Sequence, residues 1–600
     1  MEKSSNSSHT YRKVLHIAAI FLTAAACRFI YVSEIAQSPL YDAPVVDGRT
    51  YVFMSNQLAS GNWLGEGLGP FWQPPLYPYI LAVLRIFSEH FFFDSIRWLQ
   101  CALSSLTCVG IYVLGCRWYS ARVGLLAAVI ACLYGPIIFF DGEILPASLA
   151  MSISMAGLLA FEMAQNSNRK IYFFSSGLLF GFASITVATL LSGVFSLCAW
   201  TFFVKRKLLG GLLFLLGTLL IVAPVTWRNY EIGNDTVLIS WNSGVNFFVG
   251  NNADYEKTLQ IRAGWDWDKL VRQPGLLGIE TPSDKSIYFW MSSFDFIKDQ
   301  SLDYLVLQLR KTWDLFHGFE QGRNQDIYFW RNYSDLLSLL LWHYGLAFPF
   351  GLIAPLALIG LILHFKHLNH FGGLYVLSYT LAIVMFFPTA RYRIVIIPLL
   401  LIFFAQAFFW LKDSLNNRNF RDFFIGLFSG IVMFVFCNIG GHSMDMNGNA
   451  EIHFNLGQAY ADKRQPEKAL FHFQSATNLD STYWQAWFNS ASIEGIKGNF
   501  ESAKNIFLKV GKFEPNRPEV WINLAHAYRG LGQNEAAINS YEQALLVNPY
   551  SPKIYFELIQ LCTQLGKQKK AEKVLNKAIS IYPKDRTKIL TLFSGIQRSF

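Results

Sequence analysis

Charge is scarce in this chain. Asp, Glu, Lys and Arg make up 15% of its 600 residues, where soluble domains carry roughly 25%. That deficit excludes a disordered chain and one that is water-soluble throughout. The net charge of +9 is small for the length, and about +6 of it falls after residue 450, leaving the rest nearly neutral. No nucleic-acid partner is expected from such a balance. Cysteine is sparse too: Cys27, Cys101, Cys108, Cys116, Cys132, Cys198 and Cys437 lie in apolar segments and Cys562 in a polar helix. None has CxxC or other metal-ligand spacing, so they read as small core hydrophobes rather than a disulfide framework or zinc site.

What is abundant is apolar surface. Apolar types reach 52% and aromatics 16%, with 53 Phe. Apolar runs recur from the N-terminus to about residue 441 and then stop. A membrane-crossing helix needs about 20 residues. Eleven spans are expected, at 13–32, 94–116, 121–140, 146–164, 171–185, 187–204, 207–227, 346–365, 371–388, 393–411 and 422–441. The first begins after Arg12 and Lys13 and runs on through "RFIYV", so it reads as a retained anchor rather than a cleaved signal. Residues 74–90, interrupted by Pro74, Pro75 and Pro78, are expected as an interfacial or re-entrant helix on the outer face.

Short basic loops are retained on the cytoplasmic side. Arg12/Lys13, Arg117/Arg122, Arg169/Lys170, Lys205–Lys207, Lys366 and Lys412/Arg418/Arg421 fall at every second loop. They predict a multi-pass protein of the cytoplasmic (inner) membrane with a cytoplasmic N-terminus. Outside lie the loops 33–93 and 228–335, the turns at 141–145 and 388–393, and the C-terminal region. Arg391 and Arg393 alone break the pattern.

After Cys437 comes a Gly/Asn-rich linker at 442–450, and then a 34-residue period. It aligns His453, Trp487, Trp521 and Tyr555. It also aligns Ala469, Ala503, Ala537 and Ala571, and places Ser481, Pro515, Pro549 and Pro583 at the unit ends. Small residues let paired helices approach, aromatics fill the gap, and stacked units leave a concave groove. The pattern resembles the tetratricopeptide repeat, which implies a helical solenoid over 451–600 binding a protein partner, or serving as a spacer or self-association surface.

Three outer clusters could carry chemistry. Asp47 starts an amphipathic segment (Tyr51, Met54, Leu58) and suits a general base; the plain alternative is a loop Asp capping a short helix. Asp141 and Glu143 in "DGEI" could orient an acceptor or share a metal with Asp47, or sit as solvated turn residues. Arg391 and Arg393 in "ARYRIVIIPLL", with Arg228 in "PVTWRNY", offer forked donors for a phosphate, or anchor headgroups and ion pairs. In the long loop, "WNSGVNFFVGNN" and the "WDWD" of Trp265–Asp268 suit sugar stacking and ordinary packing equally.

The first outer loop, "DGRTYVFMSNQLASGNWLGEGLGPFWQPPLYPYILA", together with "DGEI", "APVTWRNY" and "ARYRIVIIPLL", resembles the GT-C glycosyltransferases related to protein mannosyltransferases and bacterial aminoarabinose transferases. The resemblance covers about residues 10–415. It implies an all-α polytopic membrane bundle that takes a sugar from a polyprenyl-phosphate donor. The acceptor would be a protein or a glycan. By this resemblance Asp47 is the base, Asp141 and Glu143 support it, and Arg391 and Arg393 hold the lipid phosphate. Such families differ in metal dependence, so a divalent metal stays open and no other cofactor is expected. Where relatives often carry a basic residue after the fifth span, this chain reads "SITVATLL", which leaves the donor's identity open.

The expected organisation is a membrane domain at 1–441, the linker, and a repeat domain at 451–600 that recruits an acceptor or partner. Rival readings are an oligosaccharide ligase and a non-catalytic scaffold for an envelope complex. A transporter fits less well, because the spans carry almost no charges to form a pathway.

Overall fold

The computed structural model describes residues 2–167, 169–323, 326–365, 371–440, 448–583 and 590–591. Lys366 and residues 442–447 of the expected linker lie outside that set. The chain divides into two units, Met1–Met446 and Asn447–Phe600. It is helical throughout apart from one antiparallel pair, β1 (Trp342–His343) with β2 (Ala347–Phe348), among the described residues.

In the first unit, α1 (Glu2–Ile35) leads into the first loop with α2 (Asp47–Ala59) and α3 (Leu76–Phe87). Then come α4 (Phe92–Trp118), α5 (Ala121–Cys132), α6 (Gly135–Gly142), α7 (Ala147–Asn166), α8 (Ile171–Ser184), α9 (Leu191–Ala199) and α10 (Leu208–Gly233). The long loop holds α11 (Ser243–Gly250), α12 (Tyr255–Leu259), α13 (Trp265–Leu276), α14 (Pro282–Asp299), α15 (Ser301–Phe316) and α16 (Asp335–Leu340). Closing the unit are α17 (Phe350–Phe365), α18 (Gly372–Met385), α19 (Ala390–Arg393), α20 (Ile397–Asn416) and α21 (Phe420–Asn438).

Helices stand at all eleven expected span positions. Six of them are long and apolar enough to cross a membrane: Tyr11–Ile35, α4, α7, α10, α20 and α21. The pair α5 and α6, bent by 50°, makes a seventh. The other four, at 171–184, 188–204, 350–365 and 372–385, are shorter apolar helices. A 16-residue helix such as α17 spans about 24 Å of a core that is about 30 Å thick. Close helix contacts come from small residues: a Cβ on Gly177 in α8 would overlap the Phe214 carbonyl of α10. The twelve-residue α3 is too short to cross, at about 18 Å, and packs edge-on against α2 through Tyr51 and Tyr77 at 5.3 Å.

Contacts sort the loops into two ends. At one end the 33–91 loop, the 234–349 loop and the 388–393 turn meet: Ser334 Oγ donates to Glu34, Arg391 to Asp47 and Arg393 to Leu315 O. At the other, Arg122 pairs with Asp413 and Tyr119 OH lies 2.6 Å from His364 Nδ1. The long loop has a core of Val245, Val249, Tyr255, Leu259, Leu270, Phe289 and Leu307, joined by Phe387 from the segment after α18.

Among the described residues the second unit forms eight helices in four pairs: α22 (Gly448–Asp462) with α23 (Pro466–Leu479), α24 (Trp484–Ile496) with α25 (Phe500–Phe513), α26 (Pro518–Gly530) with α27 (Asn534–Val547), and α28 (Pro552–Gln564) with α29 (Gln568–Ile581). Gly448–Ala450, expected as linker, already belong to α22. Ala469, Ala503, Ala537 and Ala571 are fully buried where the paired helices touch. The period shows in the bonding too. Trp487 Nε1 donates to Ser481 O at 3.0 Å, and Trp521 Nε1, one period on, to Pro515 O at 2.8 Å.

Candidate functional site

Asp47 is the first residue of α2, and the turn into it is strained: Val46, a β-branched residue, sits at φ 48°. Gly48 follows because the acidic turn presses on this helix start. A Cβ there would lie 3.3 Å from Ile144 O and 3.1 Å from the Pro44 Cβ. The Asp47 carboxylate points to the 388–393 turn. Arg391 Nη1 donates to its Oδ2 at 2.5 Å and Gln73 Nε2 to its Oδ1 at 3.0 Å. Arg391 Nη2 donates to Tyr392 OH at 3.0 Å. Burial opposes charge on Arg391, but Tyr392 and Asp47 outweigh it and raise the guanidinium above its usual range. Tyr51, one turn along α2, has its phenol raised by burial and then by Asp47.

Arg323, in the segment after α15, completes the cluster and was not singled out in the sequence. Its guanidinium lies over Phe387 at 4.3 Å and Trp267 at 5.8 Å. Burial, with Arg391 as the neighbouring like charge, pushes it down to about 10. No carboxylate among the described residues pairs with it, and its Nη1 has no hydrogen-bond partner; nor have Arg391 Nε and Gln73 Oε1. Two guanidiniums therefore face one carboxylate in a partly dry setting. A buried cation without a counter-charge is costly, so the arrangement favours an anion. In the sequence Arg323 is one of several basic residues in the long loop, and nothing in its flanks sets it apart.

The other expected residues go elsewhere. Arg393, two positions from Arg391, forms a buried pair with Glu320 at 2.7 Å and donates to the carbonyls of Leu315, His317 and Phe319. Burial raises the Glu320 carboxyl. Arg228 donates to Leu64 O, Gly69 O and Gly65 O at 2.8, 2.6 and 3.0 Å and covers Phe71 at 3.9 Å. It ties the glycine turns of the first loop to the end of α10.

Asp141 is fully buried against Arg28 at 2.8 Å and accepts from Ser148 Oγ at 2.6 Å. It faces into the bundle rather than toward Asp47. Arg28 of α1 and Asp141 of α6 thus form a neutralised pair between two apolar helices. Glu143 is buried, and with Gly48, Arg97 and Trp330 it lines a cavity of about 20 Å³, room for about one water.

The aromatic and amide motifs of the long loop are engaged in packing. Asn251 donates to Phe247 O and Met385 O, and Asn252 to Phe248 O. Lys311, with no exposed surface, donates to Gly250 O, Asn251 Oδ1 and Phe386 O at 3.0, 3.0 and 3.1 Å. It fastens the backbone just ahead of the turn that carries Arg391. No three His, Cys, Asp or Glu side chains converge as metal ligands among the described residues. Both Asp47 oxygens are already engaged, so the cluster does not fit a metal set.

Residues 450–483 and 522–586 match tetratricopeptide repeat family models. An uncharacterised protein of Methanocaldococcus jannaschii is 37% identical over 67 residues, covering 11% of this chain and 78% of that one. Among solved structures, MamA of Desulfovibrio magneticus is similar over 29% of this chain and 94% of its own at 15% identity and a TM-score of 0.22. The oligosaccharyltransferase AglB of Archaeoglobus fulgidus, solved with an inhibitory peptide and a dolichol-phosphate, is similar over 77% of this chain and 60% of its own, at 13% identity and a TM-score of 0.43. In sequence, then, a multi-span helical membrane bundle is followed by a tetratricopeptide-repeat domain.

Proposed function

We propose that the chain is an integral membrane glycosyltransferase, moving a sugar from a polyprenyl-phosphate carrier to an acceptor on the outer face of the cytoplasmic membrane. One observation carries the reading: Asp47 meets Arg391 at 2.5 Å, beside a second guanidinium, Arg323, that pairs with no carboxylate among the described residues. A base and a phosphate clamp are what direct displacement at an anomeric carbon needs. The resemblance of the first loop to GT-C enzymes supports the same assignment.

In this mechanism the donor phosphate settles between Arg391 and Arg323. An adjacent cation makes a carboxylate a weaker base. As the phosphate draws Arg391 off, Asp47 regains basicity and accepts the proton of the acceptor hydroxyl. That oxygen bonds to C1 while the C1–O bond to phosphate breaks, and the leaving phosphate keeps the electron pair against the two guanidiniums. Arg391 thereby links donor arrival to base activation. The repeat domain supplies a surface for a protein acceptor or an assembly partner.

The test is a host strain lacking the gene, complemented with wild type or Asp47→Asn at matched expression, with envelope glycolipids and glycoproteins compared by mass spectrometry. A glycan mass restored by wild type and not by the variant supports the reading. The same profile from both refutes it.

A further inference from the structure

In α14 and α15 the exposed side is apolar. On α14, Ile287, Met291 and Phe294 recur at helical spacing, with Met291 53% exposed. On α15, Leu302, Leu305, Val306 and Leu309 do the same, with Leu305 at 56% and Leu309 at 72%. The core-facing sides are different residues: Ser286, Phe289 and Ser293 on α14, and Leu307, Lys311 and Asp314 on α15. These apolar stripes are therefore additional to the loop's own core. A face of this kind left to water is a docking surface.

Its continuity with the bundle shows what covers it. On α18, Leu377, Leu381 and Met385 form an exposed stripe along a membrane-type helix. That stripe ends at Phe386, which meets Trp290 edge-on at 6.1 Å, and Trp290 stacks with Phe294 at 5.9 Å. On α21 the exposed Ile431 and Val435, followed by Ile439 just past its end, run beside Phe436. Trp313 of α15 stacks on Phe436 at 6.3 Å and donates its Nε1 to the Phe436 carbonyl at 2.7 Å. From Trp313 the apolar row continues through Leu309 and Leu305 to Leu302. Two surfaces that face lipid along the spans thus run onto the two loop helices without a polar break, through Trp residues of the kind that favour the membrane–water boundary.

We propose that α14 and α15 lie in the lipid leaflet at the end of the bundle where Asp47 and Arg391 meet, with these faces among the acyl chains as interfacial helices. Asp295, Lys298, Asp299 and Asp303 surround the hairpin tip with a net negative charge, so insertion runs on apolar area and needs no anionic lipid. The consequence reaches the site: α15 carries Lys311, which holds the Phe386 carbonyl ahead of Arg391.

The test uses the full chain in phosphatidylcholine nanodiscs with a benzophenone amino acid replacing Met291, Leu305, Leu381 or Lys257 in separate variants. Leu381 reports a span surface, and Lys257 is an exposed loop position away from both stripes. After irradiation, lipid-mass adducts at 291 and 305 comparable to those at 381, and absent at 257, are expected. Adducts confined to 381, or cross-links from 305 to a second copy of the chain, overturn the proposal.

Discussion

Asp47 Oδ2 and Arg391 Nη1 lie 2.5 Å apart although 344 residues separate them in the chain. The pair joins the start of the first loop to the turn before α20, and it is the one place where an expected base meets an expected phosphate ligand. Gln73 holds the other carboxylate oxygen, so the Asp47 carboxylate is fixed at both oxygens.

If Asp47 is the base, Asp47→Asn removes proton acceptance while retaining the shape. Glycan transfer falls by about 10²–10⁴-fold, and the thermal midpoint of the purified variant stays near that of wild type. Quantifying the glycan product in complemented cells beside a melting curve checks both parts.

Arg393 is paired differently from Arg391, with the buried Glu320 rather than with Asp47. Removing Glu320 leaves a buried guanidinium with carbonyl partners only, at a cost of about 3–5 kcal/mol. Glu320→Ala therefore lowers the melting temperature sharply, and Arg391→Gln, in a more open pair, lowers it little. Thermal unfolding in nanodiscs gives the ranking, and the reverse order contradicts it.

Lys311 adds a pH dependence. Burial pushes its amine down to about 7, below the ordinary value of about 10.4. Between those pH values the unfolded state binds the extra proton, so stability rises as pH climbs from 7 toward 10. Lys311→Met removes that rise. Melting temperatures of the two proteins across the interval should diverge in slope; parallel curves count against the assignment.

A scaffold and an enzyme rank two variants in opposite order. For the enzyme, removal of 451–600 leaves residual transfer while Asp47→Asn abolishes it. For a scaffold, the truncation is the damaging change. Glycan profiles of the two strains distinguish them.

The helices were legible because apolar length and the 34-residue period are local properties of the sequence. Ionic partners were not. Arg28 and Asp141 are 113 positions apart, and nothing in either flank shows that one neutralises the other. Arg391 and Arg393 stand two residues apart in a helical turn and so point to different sides, one to Asp47 and one to Glu320. Composition treats them alike. Arg323 was hidden in a polar loop, where only its packing beside Phe387 and Arg391 marks it. Span number was the intermediate case: apolar runs located eleven helices, of which six, or seven with the bent pair, are long and apolar enough to cross a membrane.

The most direct measurement of the central claim is donor binding. Purified protein in nanodiscs is titrated with polyprenyl phosphate and read by native mass spectrometry, for wild type, Arg391→Gln, Arg323→Gln and Arg228→Gln. Loss of one charged hydrogen-bonding group, worth about 1.5–3 kcal/mol, weakens binding about tenfold or more in the first two variants. Arg228→Gln, with its partners in the first-loop turns, retains wild-type affinity wherever it folds. Equal affinity in wild type, Arg391→Gln and Arg323→Gln would contradict the assignment of this cluster as a lipid-phosphate site.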